Sequence, residues 1–344
     1  CSWNISWSGL MPKRAIVLFN LGGPDKPAAI QPFLFNLFND PAIISQPQPL
    51  RWFIANLISK RRAPIAQKIY AEIGGKSPLL NLTREQAAAL KNRLGSETEV
   101  FISMRYWHPM SASTAKAVKN YNPDKIILLP LYPQFSTSTT GSSIDDWHQA
   151  ARKIGLNKPT TSICCYPAEI NFVKAQASLL AEHLVPSSRV LFSAHGLPKK
   201  IIDGGDPYQW QVEQTAAAIA AEAGLPDDQW RICYQSRVGR LEWIGPSLDE
   251  ELEQAAADRI GVTILPITFV SEHSETLVEL DIEYRQLAEK LNLLAYNRVP
   301  AVGTQPDFIT CLADLVASAS TSGNNLITDQ AERWCPADRL CCPK

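Results

Sequence analysis

Short runs of Ile, Val and Leu alternate with helical stretches along the whole chain, and this alternation limits the folds open to it. Candidate strands are residues 15–21, 100–104, 125–131, 161–166, 189–194, 230–234, 262–267 and 293–296. Several carry no polar alternation, which is the pattern of strands buried on both faces. Helical patterns lie between them, over residues 83–94, 169–184, 208–223 and 247–260. Thr83 is placed to cap the first of these and Gly95 to end it. A β-α unit repeated in this way builds a parallel sheet with helices on both faces. The eight strands divide into two halves of four, with the break at Val185-Pro186-Ser187-Ser188. The prediction is an α/β fold of two similar doubly wound domains, each on a four-stranded parallel sheet, with the site in the cleft between them. The expected limits are 13–184 and 185–322. A leader over 1–12 precedes them and a cysteine-bearing extension over 323–344 follows.

Composition narrows the class. Of the 344 residues 45% are hydrophobic and 19% charged, which is ordinary for a globular protein. The formal net charge of −1 gives no field that would favour nucleic acid. No apolar run approaches the roughly 18 residues needed to span a bilayer. The residues before Met11 lack the arginines of a transit peptide and the basic start of a signal peptide. Met11 is read as the native start because the first strand begins almost at once, with an ordered arm as the alternative. A cytoplasmic chain follows, where disulfides are rare. The crowding of Cys335, Cys341 and Cys342 near the end then reads as metal ligation.

The polar motifs fall where strands end. Ser193-Ala194-His195-Gly196-Leu197-Pro198 follows one apolar run, and Glu272-His273-Ser274-Glu275 follows another. Two histidines and two carboxylates past strand ends are the material of a proton-transfer or metal site. Carboxyl ends of parallel strands share one edge of a sheet, where ligands bind. The chain has no G-x-G-x-x-G, Walker or nucleophile-elbow motif. It offers instead aromatics near strand ends (Tyr106, Trp107, Tyr132, Phe135, Trp243, Phe269), hydroxyls and a few bases. That set suits a large, flat, apolar ligand with an acidic rim.

The motifs, taken in order, resemble the ferrochelatases. They are Leu21-Gly22-Gly23-Pro24, Ile73-Gly74-Gly75-Lys76-Ser77-Pro78, Arg105-Tyr106-Trp107-His108-Pro109, Ser138-Thr139-Thr140-Gly141-Ser142, Ser193-Ala194-His195-Gly196-Leu197-Pro198, Gln235-Ser236-Arg237-Val238-Gly239 and Glu272-His273-Ser274-Glu275-Thr276-Leu277. The resemblance runs from about Lys13 to about Ser318. It implies the family's Rossmann-like, chelatase-type fold and insertion of Fe²⁺ into protoporphyrin IX to give protohaem, the last step of haem biosynthesis. It places His195 and Glu275 as the catalytic pair and as handlers of the substrate iron, with His273 beside them. Whether His195 acts as base or metal ligand stays open. Arg62, Tyr70 and Ser77 match positions that hold the porphyrin propionates, and Arg105, Trp243 and Phe269 match cleft-lining positions.

The resemblance also bears on the cysteines. Some ferrochelatases carry a [2Fe–2S] cluster on one mid-chain and three terminal cysteines, which here implies Cys165, Cys335, Cys341 and Cys342, with Cys164 competing with Cys165. Residues 49–62 are apolar and aromatic with a basic end, which suits either a lid helix or a helix resting in lipid headgroups at the inner membrane. The expected partners are the porphyrin and ferrous iron, with no nucleic acid, and the protein is a monomer or a homodimer. A chelatase for cobalt or coproporphyrin and a non-catalytic tetrapyrrole-binding protein are the competing classes.

Overall fold

The computed structural model describes residues 12–237, 239, 241–330 and 333–343. Apart from Pro12, the expected leader lies outside them. Strand β1 (Arg14–Asn20) is followed by helices α1 (Ile30–Phe38), α2 (Leu50–Ala71) and α3 (Leu79–Leu94). Then come β2 (Thr98–Met104), α4 (Ser111–Tyr121), β3 (Lys125–Pro130), a π-helical turn (Thr137–Gly141), α5 (Ser142–Lys153), β4 (Thr160–Ile163) and α6 (Ile170–His183). The second half holds β5 (Arg189–His195), α7 (Lys199–Asp203), α8 (Tyr208–Glu222), β6 (Trp230–Gln235), α9 (Leu248–Ala257) and β7 (Val262–Pro266). A π-helix (Glu275–Tyr284), α10 (Arg285–Lys290), β8 (Tyr296–Arg298), α11 (Pro306–Thr321) and β9 (Leu326–Ile327) complete it.

Two parallel sheets form, in the orders β2-β1-β3-β4-β9 and β6-β5-β7-β8. The first has five strands where four were expected. Its extra strand comes from the C-terminal extension, where Ser162 pairs with Leu326 and Ile163 with Ile327. The two-residue run Leu326–Ile327 is too short to announce a strand and becomes one only because the edge of β4 is there to pair with. Strand order reverses beside β1 in one sheet and beside β5 in the other, so each half has its switch point at its first strand. Asn20 and His195 end those two strands.

Buried side chains of both sheets join one apolar core. Ile16, Leu18, Ile127 and Leu129 of the first sheet belong to the same cluster as Val190, Phe192 and Leu265 of the second. Helices α6, α8 and α11 fill the space between, and α11 crosses back to pack on α6 and α3. Full burial of each Val, Leu or Ile stabilises by about 1.5–3 kcal/mol, so this shared core fixes how the halves meet.

Local signals act as their chemistry dictates, with one exception. Ser247 caps α9 in a reciprocal capping box with Glu250, and the Glu169 carboxylate caps α6 by accepting from Phe172 N. Gly95 ends α3 at φ +84°. Thr83 does not cap α3, which begins four residues earlier at Leu79. Its buried hydroxyl donates to Leu79 O and accepts from Asn20 Nδ2, a long-range use that the sequence does not display.

Candidate active site

A cavity of about 230 Å³ opens where the carboxyl ends of the two sheets face each other. Its wall includes Leu21, Leu37, Tyr106 and Leu131 from the first half, and His195, Phe269, His273 and Glu275 from the second. A second groove, lined by Trp147, His148, Arg152 and Lys158, lies at the amino ends of β3 and β4, on the opposite edge of the first sheet.

His195 is placed by its strand. It ends β5, and its N–H donates to Thr268 Oγ1 beyond β7 at 3.4 Å. Gly196 follows because a Cβ there would lie 2.9 Å from Gln235 O, closer than any side chain permits. The ring Nδ1 lies 2.8 Å from Glu275 Oε2. His273 Nε2 lies 3.6 Å from the same oxygen, and the His273 ring packs edge-on against Phe269 with centroids 4.5 Å apart. One carboxylate oxygen therefore serves two imidazoles. His273 Nδ1 is buried with no hydrogen-bond partner among the described residues.

Burial opposes charge on both members of the central pair. It pulls the His195 pKa down and the Glu275 pKa up, but mutual attraction and the hydrogen bond between them reverse both effects. The net result is a raised His195 and a Glu275 held well below the usual carboxylate range. The side chains are 37% and 28% exposed, so cleft water screens the pair. The two titrations are linked and belong to the pair.

Glu275 opens the π-helix, which Gln235 holds at its start. Gln235 Nε2 donates to Glu275 O at 2.9 Å and to Glu279 Oε2 at 3.1 Å, and Ser193 Oγ donates to Gln235 Oε1. Glu279 also accepts from Ser236 N and Oγ. Burial first, and then the negative charge of Glu275, push the Glu279 pKa up. On the other side Arg298 pairs with both Glu272 and Asp281, which brackets the segment carrying His273 and Glu275. From the first half, Gln86 donates to Val270 O and Gly303 O and accepts from Ser271 Oγ, tying α3 to the loop that carries Phe269 and His273.

The remaining expected residues, Arg62, Tyr70, Ser77, Arg105 and Trp243, are not part of the cavity wall. Tyr70 is buried near the pair, its pKa pushed up to about 12 by burial and by Glu275, partly offset by Ser274. Ser77 sits at the start of α3, its N–H on Pro24 O and its hydroxyl accepting from Leu79 N. Arg62 is exposed on α2, with its guanidinium 5.9 Å from the centre of the Phe38 ring. Trp243 packs against Gly196 and pairs with Pro198 through the backbone. Arg105 is drawn into a network in which buried Asp40 accepts from Arg105, Tyr106 Oη and Ser142 Oγ. Sequence reasoning quoted Gln235 only as part of a strand-end motif and did not single out Asp40, Gln86, Tyr208 or Glu279. Only Glu279 carried a local signal, its four-residue spacing from Glu275.

Three of the thiols gather around Gln211 of α8. Gln211 Nε2 donates to Cys165 Sγ at 3.4 Å and to Cys335 Sγ at 3.2 Å, and Cys335 and Cys342 are hydrogen-bonded to each other. Cys341 Sγ donates to Gly204 O at 3.3 Å.

The ferrochelatase family model matches residues 13–320. The chain belongs to the ferrochelatase family. A ferrochelatase of Caulobacter vibrioides is 50% identical over 341 residues, covering 96% of this chain and 97% of that one. Those of Pelagibacter ubique and Rickettsia bellii are 46% and 49% identical, covering 96% and 94% of this chain and 98% and 92% of theirs. The structure of SirB from Bacillus subtilis with Fe³⁺ superposes with a TM-score of 0.52 at 16% identity, covering 90% of this chain and 96% of that one, a likeness of fold alone. Family membership makes the protein a metal-inserting lyase whose fold is shared with other chelatases.

Proposed function

We propose that His195 and Glu275 take up the two pyrrole protons released as this ferrochelatase inserts ferrous iron into protoporphyrin IX to give protohaem. The reaction exchanges two N–H bonds for four Fe–N bonds and leaves two protons to be removed. With one ring proton donated from Nδ1 to Glu275, the His195 Nε2 lone pair is left to accept another. The single observation carrying this reading is the shared Glu275 oxygen, 2.8 Å from one histidine and 3.6 Å from the other, in a cavity whose other wall residues are apolar, aromatic or uncharged polar. A neutral imidazole and a carboxylate also form a donor set that can pass on a hard-to-borderline divalent ion without trapping it. Arg62, Tyr70 and Ser77 are the candidate partners of the propionates, since a carboxylate is costly to bury unpaired. Phe269 in the cavity wall is the candidate to flank the macrocycle, Trp243 backs His195 through Gly196, and Arg105 is tied to Asp40 beside Tyr106 of the wall. Anaerobic incubation with Fe²⁺ and either protoporphyrin IX or coproporphyrin III, followed by absorbance, tests reaction and substrate together. Faster turnover of coproporphyrin III would overturn the protoporphyrin assignment, and a rate no higher than uncatalysed insertion would leave a carrier.

The thiols support a [2Fe–2S] cluster on Cys165, Cys335, Cys341 and Cys342. The donor type fits and three of the sulfurs are near one another, since those of Cys165 and Cys335 share one amide donor and Cys342 bonds to Cys335; Cys341 Sγ is bonded to Gly204 O, and no three His, Cys, Asp or Glu among the described residues are arranged as a metal site. When bound, such a cluster supplies a one-electron centre and a cross-link between the chain end and the end of β4. Helix α2 supports peripheral membrane contact. It exposes Leu50, Trp52, Phe53 (61%) and Leu57 beside Lys60, Arg61 and Arg62. No described helix is long and apolar enough to cross a bilayer. Flotation with anionic vesicles tests this contact, and co-flotation that Phe53→Glu leaves unchanged would refute it.

A further inference from the structure

Gln211 is fully buried on α8 and bonded at both ends of its amide. Its Oε1 accepts from Phe135 N at 2.7 Å, while its Nε2 donates to the sulfurs of Cys165 and Cys335. The orientation of the amide is fully determined. A backbone N–H offers only a donor, so it must meet the oxygen, which leaves the nitrogen to donate to the sulfurs. Because the amide is planar, fixing its nitrogen on the thiols fixes where its oxygen stands.

What that oxygen holds is part of the cavity. Gln134, Ser136, Ser138 and Thr139, on both sides of Phe135, face His195 across the cleft. The same end of α8 makes further ties. Buried Asp206 accepts from Ser136 Oγ, Thr137 N and Thr137 Oγ1, and two residues on Tyr208 Oη donates to His195 O at 2.9 Å. The chain end is seated on the turn just before. Cys341 N donates to Gly205 O, and a Cβ on Gly205 (φ +96°) would lie 2.8 Å from Leu340 N.

We propose that Gln211 is a positioning residue that couples the Cys165–Cys335 thiols to the Phe135–Thr139 wall of the catalytic cleft. The coupling needs the sulfur atoms as acceptors. It rests on the cleft assignment above but not on iron at the thiols, so iron and sulfide analysis of each preparation separates its failure from failure of the cluster reading. Coupling of this kind is reciprocal: porphyrin bound against the wall must also alter the surroundings of the thiols.

The test is a double-mutant cycle read by amide hydrogen exchange at Phe135, on the full chain purified without oxygen. Replacing both thiols, as Cys165→Ala with Cys335→Ala, should speed exchange of Phe135 about tenfold in the wild-type background, because its acceptor loses its anchor. In Gln211→Leu exchange should already be fast, and removing the thiols should change it by less than about twofold. In that variant kcat should fall more than porphyrin affinity. Where Gln211→Leu does not fold, Gln211→Met keeps the volume and removes the same two bonds. Equal responses to thiol removal in both backgrounds, or no response in the wild type, would overturn the proposal.

Discussion

At the scale of the residue, the centre of the site is one carboxylate oxygen shared by two imidazoles. His195→Ala should lose metallation by about a hundredfold or more, the usual size of a general-base contribution. Porphyrin binding, followed by fluorescence quenching, should persist, and near-normal turnover would remove His195 from the catalytic role. Glu275→Gln is more diagnostic because its sign can be worked out. The carboxylate holds His195 up against burial, so without it burial wins and the His195 pKa falls. The acid limb of kcat/KM should therefore move to lower pH while kcat drops, and a ring-proton NMR titration should follow the same shift. A change in KM alone would make Glu275 a binding residue. Linkage follows the same signs. The raised His195 contributes stability fully below its unfolded value of 6.5, and this is lost as pH rises through the folded value. The depressed Glu275 contributes above its unfolded value of 4.5 and fades as pH falls through the folded one. His195, His273 and Glu275 were legible in sequence because His195 ends β5 and the other two stand in the polar motif that follows β7, seven and nine residues past its end. Asp40, Gln86 and Gln211 were not, because their partners are 66, 184 and 76 positions away.

At the scale of the element, propensity and capping decide much and context decides the ends. Strands β1, β3, β5 and β7 arise from runs of branched apolar residues that only a doubly covered sheet can bury. Helix α9 is fixed by its capping box, so Ser247→Ala should cost about 1 kcal/mol, seen as a lower urea midpoint with activity kept. An unchanged midpoint would mean that the neighbouring Glu250 bond to Ser247 N alone holds the turn. Helix α3 shows the limit of such reasoning, since Thr83 has the right chemistry for a cap and spends it on Asn20 instead. The strand expected over 293–296 begins only at Tyr296, where β7 supplies partners for Tyr296, Asn297 and Arg298. The π-helix carries no sequence signature at all. Its start is held by Gln235, forty residues earlier in the chain.

At the scale of the whole molecule, the chain end joins what the two sheets leave apart. Helix α11 closes the shared core, β9 extends the first sheet, and the cysteine segment sits on the turn before α8. If Cys165, Cys335, Cys341 and Cys342 hold a [2Fe–2S] centre, protein purified without oxygen should be red-brown, with about two irons and two sulfides per chain. Cys335→Ser should bleach it, while serine at buried Cys233 or Cys311, each within the apolar interior, should not. A colourless preparation without iron would reject the cluster and leave the chelatase assignment standing. The sequence alone determined the β-α alternation, the parallel sheets and the strand-end clustering of His195, His273 and Glu275. It could do so because apolar period and strand-end position are local properties. Only the tertiary structure decided that one Glu275 oxygen faces both imidazoles, that Asp40 holds Arg105, and that Gln211 lies between the thiols and the cleft. Those contacts join segments far apart in the chain, and the burial that makes each polar partner obligatory exists only once the core has closed.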